Sequence, residues 1–148
     1  MSLPELTPQE RFVVALFNAS RTWRLTLDRR LKYLGLGQPG WAALAVVARA
    51  GAPLSQSELA QRIGVESATL VTTLDRLAAS GLIERQAVPG DRRVKQVVLT
   101  AAGEAMYADV RVEAEALRNE LLGAVPLAAL EQATLLLEQV FAQGEALK

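Results

Sequence analysis

Apolar residues recur at three- and four-residue spacing along most of the chain, which predicts a largely helical protein. A long amphipathic helix is predicted from Pro8 to about Leu34, and Thr7 with Glu10 would form the capping box that begins it. A second helix is predicted from Trp41 to about Arg49. It is apolar on nearly all sides, so we expect it to be buried.

The middle of the chain carries shorter periodic segments. Two helices are predicted, Gln56 to Ile63 and Ser67 to about Ser80, with Gly64 closing the first and turning the chain. Ser55 and Glu58 form a second capping box at the start of this pair. Two short helices that meet at a tight turn are typical of a helix-turn-helix.

A hairpin is predicted directly after the second short helix. Gly81 ends that helix, and the sequence Pro89-Gly90-Asp91 is typical of a turn. Val94 to Leu99 is rich in β-branched residues. We therefore expect two strands joined by a loop of several residues. A hairpin in this position would form the wing of a winged helix-turn-helix.

Two further helices are predicted, Ala101 to about Leu122 and Pro126 to about Ala146. The expected fold is mainly α, an α+β domain with a small hairpin, in one domain spanning 1–148. Long helices at 1–36 and 101–148 would flank a compact winged helix-turn-helix lobe at 38–100. The flanking helices carry more apolar surface than one small domain needs, so they would either pack against a second copy or fold back onto their own domain.

Composition narrows the function classes. The 148 residues are 51% hydrophobic and include no cysteine and no histidine, which leaves no disulfide, no thiolate catalysis and none of the commonest zinc ligands. The longest apolar run, Trp41 to Ala48, is too short to span a bilayer, and MSLPELTPQE lacks the features of a signal peptide. We expect a soluble, cytoplasmic protein that has no cofactor and no membrane partner.

Net charge is zero, which alone gives no hint of a nucleic-acid partner, but the charge is unevenly distributed. Residues 1–54 carry seven basic and three acidic side chains, residues 55–100 six and five, and residues 101–148 three and eight. Arg92, Arg93 and Lys95 fall within four positions at the predicted wing tip. Clustered cations are what a phosphate backbone binds, and arginine suits a narrow minor groove.

The predicted second helix of the pair has a face suited to DNA. Leu70, Leu74 and Leu77 would be buried, and the opposite face would present small polar or basic groups that can bond to base edges or phosphates. These groups are Ser67, Thr69, Thr72, Thr73 and Arg76. At the wing, Asp91 can hold the Arg93 guanidinium by a charge-assisted hydrogen bond.

These motifs resemble the MarR family of winged-helix transcriptional regulators. The resemblance is carried by SxxELA at Ser55–Ala60, LVxTLDRL at Leu70–Leu77, GLIER at Gly81–Arg85 and DRRxKxVxLTxxG at Asp91–Gly103. In addition, RTWRLTLDRRLKYLGLGQPGW at Arg21–Trp41 looks like the SlyA-type branch. The resemblance implies a homodimer that binds double-stranded DNA at a pseudo-palindromic operator. Such a regulator would be a repressor or an activator, and we expect a repressor.

Family roles carry over to individual positions as expectations. The major groove would receive Ser67, Ala68, Thr69, Thr72 and Arg76, and the minor groove would receive Arg93, held by Asp91. Phosphates would be met by Gln56, Ser57, Arg85, Arg92 and Lys95. Where relatives often have arginine in the middle of the recognition helix, this chain has Thr72, so its operator is expected to differ from theirs.

The resemblance also implies a site for a small aromatic carboxylate effector. Arg21 would hold the carboxylate and Trp41 the ring, with Trp23 and Tyr107 as further lining residues. Both tryptophans lie at helical core spacing, however, so the alternative is that they are packing residues. An apolar slot with one cation is the minimum that such a ligand needs.

Two other function classes compete with a DNA-binding regulator. An enzyme is disfavoured because the sequence offers no histidine or cysteine, no glycine-rich phosphate loop and no carboxylate pair in an apolar setting. A winged helix used only for protein contacts is the other alternative. Such a wing has no need for Asp91 beside Arg92 and Arg93.

Overall fold

The computed structural model describes residues 5–148, so the first four residues of the segment examined for a signal peptide lie outside it. The chain divides into two compact units, one ending at Ala114 and one spanning Glu115–Lys148. This division falls within a helix. The predicted division by role, a lobe at 38–100 between flanking helices, is a different one and stays a prediction.

The described chain contains six α-helices, one 3-10 turn and three strands. The helices are α1 (Pro8–Arg30), α2 (Gly37–Arg49), α3 (Gln56–Ile63), α4 (Ser67–Ala79), α5 (Ala101–Leu122) and α6 (Leu127–Ala146). The strands are β1 (Leu54–Ser55), β2 (Ile83–Val88) and β3 (Asp91–Leu99), and the 3-10 turn is Lys32–Leu34. The predicted fold class, mainly α with a small β element in a winged helix-turn-helix, is confirmed.

The core of the first unit lies between α2, α3, α4 and the sheet. Leu44, Leu59 and Leu74 are fully buried there, and Val97 of β3 closes it from the sheet side. Each such leucine contributes about 1.5–3 kcal/mol by leaving water. These contacts hold the two short helices and the hairpin together as one body, which is what places α4 and the wing on a common scaffold.

The sheet has a third strand that the periodicity did not predict. β1 pairs antiparallel with β3 through Leu54 opposite Val97, so the strand order is β1-β3-β2. A two-residue strand is too short to produce an alternating pattern, and its pairing is decided by the tertiary structure. Leu54 is buried, which ties the segment before α3 to the wing.

Two helix boundaries also differ from the sequence prediction. α1 ends at Arg30 instead of Leu34, because the chain tightens into the 3-10 turn and leaves it at Gly35, whose φ is 72°. α2 begins at Gly37, four residues before Trp41. Gly40 makes this start possible, since a Cβ there would lie 2.9 Å from the Leu36 Cβ.

Candidate nucleic-acid interface

Helix α4 has the two faces that the sequence predicted. Leu70, Leu74 and Leu77 are buried. Ser67, Ala68, Thr69, Thr72 and Arg76 are exposed, and Thr73 is half-buried. The Thr72 hydroxyl donates a hydrogen bond to the Ala68 carbonyl at 3.3 Å. Its oxygen is therefore presented to the outside as an acceptor, which suits the exocyclic amino groups of cytosine and adenine in the major groove.

The start of the bracing helix α3 is fixed by the predicted capping box. The Ser55 hydroxyl accepts from the Glu58 N–H at 3.2 Å, and the Glu58 carboxylate accepts from the Ser55 N–H at 2.9 Å. Gly64 closes α3 with a φ of 77° and turns the chain toward α4. Ser57 is exposed beside this cap, where a hydroxyl and free helix N–H groups can meet a phosphate.

The wing is tighter at its turn, and less regular after it, than the sequence predicted. Val88 pairs with Asp91 across a two-residue turn, so the expected loop of several residues is wrong. Ala87 pairs with Lys95, and the register shift between these two pairs leaves Arg92, Arg93 and the residue after them outside the ladder. A bulge of this kind bends the strand and re-aims its side chains, here two arginines. The turn sequence does not reveal it, because the bulge depends on which residues pair.

Asp91 holds Arg93 as expected. One carboxylate oxygen, Oδ1, lies 3.0 Å from the Arg93 backbone N and 3.3 Å from its Nε, and it accepts hydrogen bonds from both. The Arg93 side chain is otherwise 92% exposed. Its guanidinium is thus restrained close to the backbone, while its other nitrogens remain open to a partner. Arg92 and Lys95 are exposed next to it.

Arg85, expected to contact phosphate, is already bound within the protein. Its Nε donates to the Gln56 Oε1 at 2.8 Å, one Nη lies 2.7 Å from the Asp75 carboxylate, and the other lies 3.4 Å from the Val71 carbonyl. The bond to Gln56 turns that side chain so that its amide NH₂ is left to donate elsewhere. Asp75 was part of a quoted sequence motif without an assigned role. The sequence feature that could have revealed this ion pair is the acidic Asp75 on α4, ten positions before Arg85 in β2.

The residues expected at an effector site are only partly brought together. Arg21 is exposed and donates to the Asn18 side chain at 3.0 Å. It lines a cleft of about 280 Å³ together with Arg24, Leu25, Asp28 and Gln38. Trp41 is buried, and its indole N–H donates to the Asp28 carboxylate at 3.1 Å, which links it to this cleft. Trp23 and Tyr107 are half-buried and do not line the cleft as far as the structure describes it.

Within 5–148, no three His, Cys, Asp or Glu side chains gather in an arrangement that could hold a metal ion. No single helix in that range is long and apolar enough to cross a membrane, although α5 and α6 satisfy the length and composition test when they are taken together as a bent pair.

Comparisons with known proteins agree with this geometry. The model of the MarR family matches residues 34–94. The solved transcriptional regulator PA3341 is 39% identical, with a TM-score of 0.86 over 91% of this chain and 98% of that one. A MarR-family regulator from Silicibacter pomeroyi is 24% identical, with a TM-score of 0.84 over 97% and 96% of the two chains.

A third protein of similar fold was solved with a ligand. CouR from Rhodococcus jostii RHA1, bound to p-coumaroyl-CoA, is 19% identical, with a TM-score of 0.81 over 92% of this chain and 95% of that one. The family match and the 39% identical relative decide the assignment. The chain belongs to the MarR family, which consists of DNA-binding transcriptional regulators and not of enzymes.

Proposed function

We propose that this regulator is a repressor that binds a pseudo-palindromic operator as a homodimer. The observation that carries the proposal is that the hydroxyl-rich outer face of α4 and the restrained Arg93 belong to elements that share one hydrophobic core. A helix on such a face fits the major groove, and an arginine at a hairpin tip fits the adjacent minor groove. Two copies would place their recognition helices in successive major grooves, about 34–36 Å apart.

Each side chain at this interface would have a separate task. Ser67, Ala68, Thr69, Thr72, Thr73 and Arg76 would face base edges and the groove wall. Gln56, Ser57, Arg92 and Lys95 would bind phosphates, which position the lobe without reading sequence. Arg85 was expected among them, but its partners within the chain support a different task.

Exposed apolar side chains support the homodimer. In the second unit, no residue of α6 is buried, and Phe141 is 69% exposed. Leu135, Leu136, Leu137 and Val140 are exposed on the same helix. In the first unit, α1 exposes Val13, Val14, Phe17 and Leu25. Apolar surface of this extent marks an interaction site, and a second copy of the chain is the occupant we propose.

Sedimentation and DNA binding test the proposal together. The wild type should sediment as a dimer, and a Phe141→Glu variant should shift toward monomer and lose operator affinity, because a charge would be buried in the interface. A gel shift with the DNA upstream of the protein's own gene should give one specific complex. Selection from random duplexes should return an inverted repeat. A monomer that selects no repeat would contradict the proposal.

We also propose that an aromatic carboxylate or a related acyl ligand releases the DNA, with Arg21 binding its anionic group. The cleft beside Arg21 holds a second arginine, Arg24, and is linked through Asp28 to the Trp41 ring. CouR, which shares the fold, was solved with p-coumaroyl-CoA. Calorimetric titration with salicylate-like acids should give heat and weaken operator binding, whereas Arg21→Ala should abolish both effects. No heat at millimolar ligand would remove this part of the proposal.

We also propose a branch of the family and a cellular location for this regulator. The segment Arg21–Trp41, which resembles the SlyA-type branch, supports placing the chain in that branch. A repressor of chromosomal genes works on DNA in the cytoplasm, so we propose that location as well. Fractionation of cells that produce the native protein would test it, and recovery with the envelope would contradict it.

A further inference from the structure

Arg85 lies where the three DNA-binding elements meet. It belongs to β2, the first strand of the wing, and pairs across the sheet with the buried Val97. Its guanidinium binds Gln56, the first residue of α3, and reaches two positions of α4, namely Val71 and Asp75. Because a guanidinium is planar and rigid, bonds from all three of its nitrogens fix the relative orientation of the elements that they join.

The charge of Arg85 is already matched by a carboxylate of the same chain, that of Asp75, whose side chain is 60% exposed. The carboxylate of Asp75 lies 2.7 Å from the guanidinium, and the Arg85 side chain is only 26% exposed. Arg93, by contrast, is 92% exposed and keeps most of its donors open. A cation paired at this distance releases few counterions from DNA, since it would have to leave its partner in order to neutralise a phosphate. Arg85 is therefore bound within the chain, whereas Arg93 is available to bind DNA.

We propose that Arg85 is a positioning residue that sets the orientation of the recognition helix relative to the wing, and thereby the selectivity for the operator. The inference rests on the proposed operator binding and replaces the phosphate contact expected from the sequence. Direct readout needs donors and acceptors within hydrogen-bond distance of base edges, so a small rotation of α4 removes selectivity. The same rotation leaves nonspecific attraction to the backbone nearly intact.

Three substitutions separate positioning from a phosphate contact. Arg85→Lys keeps the charge but offers a single point donor for three acceptors. Arg85→Met removes the charge, and Asp75→Asn removes the carboxylate that holds Arg85. The readouts are the ratio of dissociation constants for a scrambled duplex and the selected operator, and the slope of log affinity against log salt on the scrambled duplex. Arg92→Ala is the control, because Arg92 is exposed at the wing tip.

All three variants should lower the scrambled-to-operator ratio of dissociation constants on the order of tenfold, the scale of one lost base contact. The salt slope of Arg85→Met should stay at the wild-type value, while Arg92→Ala should lower the slope and spare the ratio. Whether Asp75→Asn weakens or tightens operator binding decides between positioning and a phosphate contact. If Arg85 contacted phosphate, freeing it would tighten operator binding, and that result would overturn the inference.

Two controls keep the test interpretable. Leu44→Val weakens the core in α2 without touching Arg85, so it shows what a loss of stability alone does to the ratio. Measurements well below each melting temperature, with helix content checked by circular dichroism, confine the comparison to folded protein. If Leu44→Val lowered the ratio as much as Arg85→Lys does, Arg85 would contribute only to stability and not to the orientation of α4. A wild type without any operator preference would refute the proposed function, whereas a selective wild type with selective Arg85 variants would refute this inference alone.

Discussion

Removal of the Arg93 guanidinium tests how far the wing contributes to DNA binding. The side chain is 92% exposed, and its folded-state partner is the Asp91 carboxylate at 3.3 Å. An ion pair this exposed contributes about 0–1 kcal/mol to folding, so Arg93→Ala should leave the melting temperature almost unchanged. A change in affinity can then be attributed to a lost DNA contact and not to a loss of folded protein.

The expected effect of Arg93→Ala on the salt dependence of DNA binding follows from counterion release. Each neutralised phosphate contributes about 0.9 to the slope of log affinity against log salt. A dimer presents two copies of Arg93, so the variant should lower that slope by about 1.8. Between 50 and 200 mM salt, this amounts to roughly a tenfold smaller loss of affinity than the wild type suffers. At low salt the variant should bind more weakly to operator and scrambled duplexes alike.

Fluorescence anisotropy with a labelled duplex across a salt series measures both quantities. Asp91→Ala is the matched control, because it removes the carboxylate that restrains Arg93 but keeps the cation. Its affinity should fall modestly, through the added freedom of Arg93, while its slope should be no smaller than that of the wild type. If Arg93→Ala retained the wild-type slope, the reasoning about the wing would be refuted.

Three further predictions concern other parts of the molecule. Thr72→Arg should change the selected operator toward guanine at the facing position, with about 1–3 kcal/mol of discrimination, and an unchanged consensus would contradict it. Trp41→Phe should lower the free energy of unfolding in urea by about 1–3 kcal/mol, because the indole donates to a carboxylate, and a neutral result would exclude that contribution. Partial desolvation of its hydroxyl and the charges of Asp109 and Glu113 raise the pKa of Tyr33 from its ordinary value of 10.0. The stability linked to this group should therefore be complete below pH 10 and be lost as pH rises through the folded-state pKa, which absorbance titration and alkaline melts would measure.

The features that the sequence predicted best are those whose partners lie a few residues apart. The capping boxes at Thr7 and Ser55 each join residues three positions apart, and both are present. Asp91 and Arg93 are two positions apart, and their ion pair forms as expected. At such separations the local backbone conformation alone fixes the distance, so residue type and spacing carry enough information.

The wing and its surroundings were predicted less well, because their geometry depends on pairing between distant segments. β1 exists only because Leu54 meets Val97, and the bulge exists only because Val88 and Ala87 take partners four residues apart. A two-residue strand has no period, and a bulge changes the register without changing composition. The sequence therefore indicated a hairpin but not where its arginines would leave the ladder.

The contrast between Arg85 and Arg93 bears on how a chain of zero net charge binds DNA. The sequence grouped Arg85 with Arg92 and Lys95 as phosphate partners, because the bond from Arg85 to Gln56 spans 29 positions and leaves no local signal. Once Arg85 is assigned to Asp75, the open positive charge of α4 and the wing lies in Arg92, Arg93 and Lys95 at the wing tip and in Arg76 on α4. Affinity and salt dependence should then be governed mainly by the wing, and selectivity mainly by the orientation of α4. The two properties should consequently be separable by mutation, which would not be expected if every arginine of the lobe contacted phosphate.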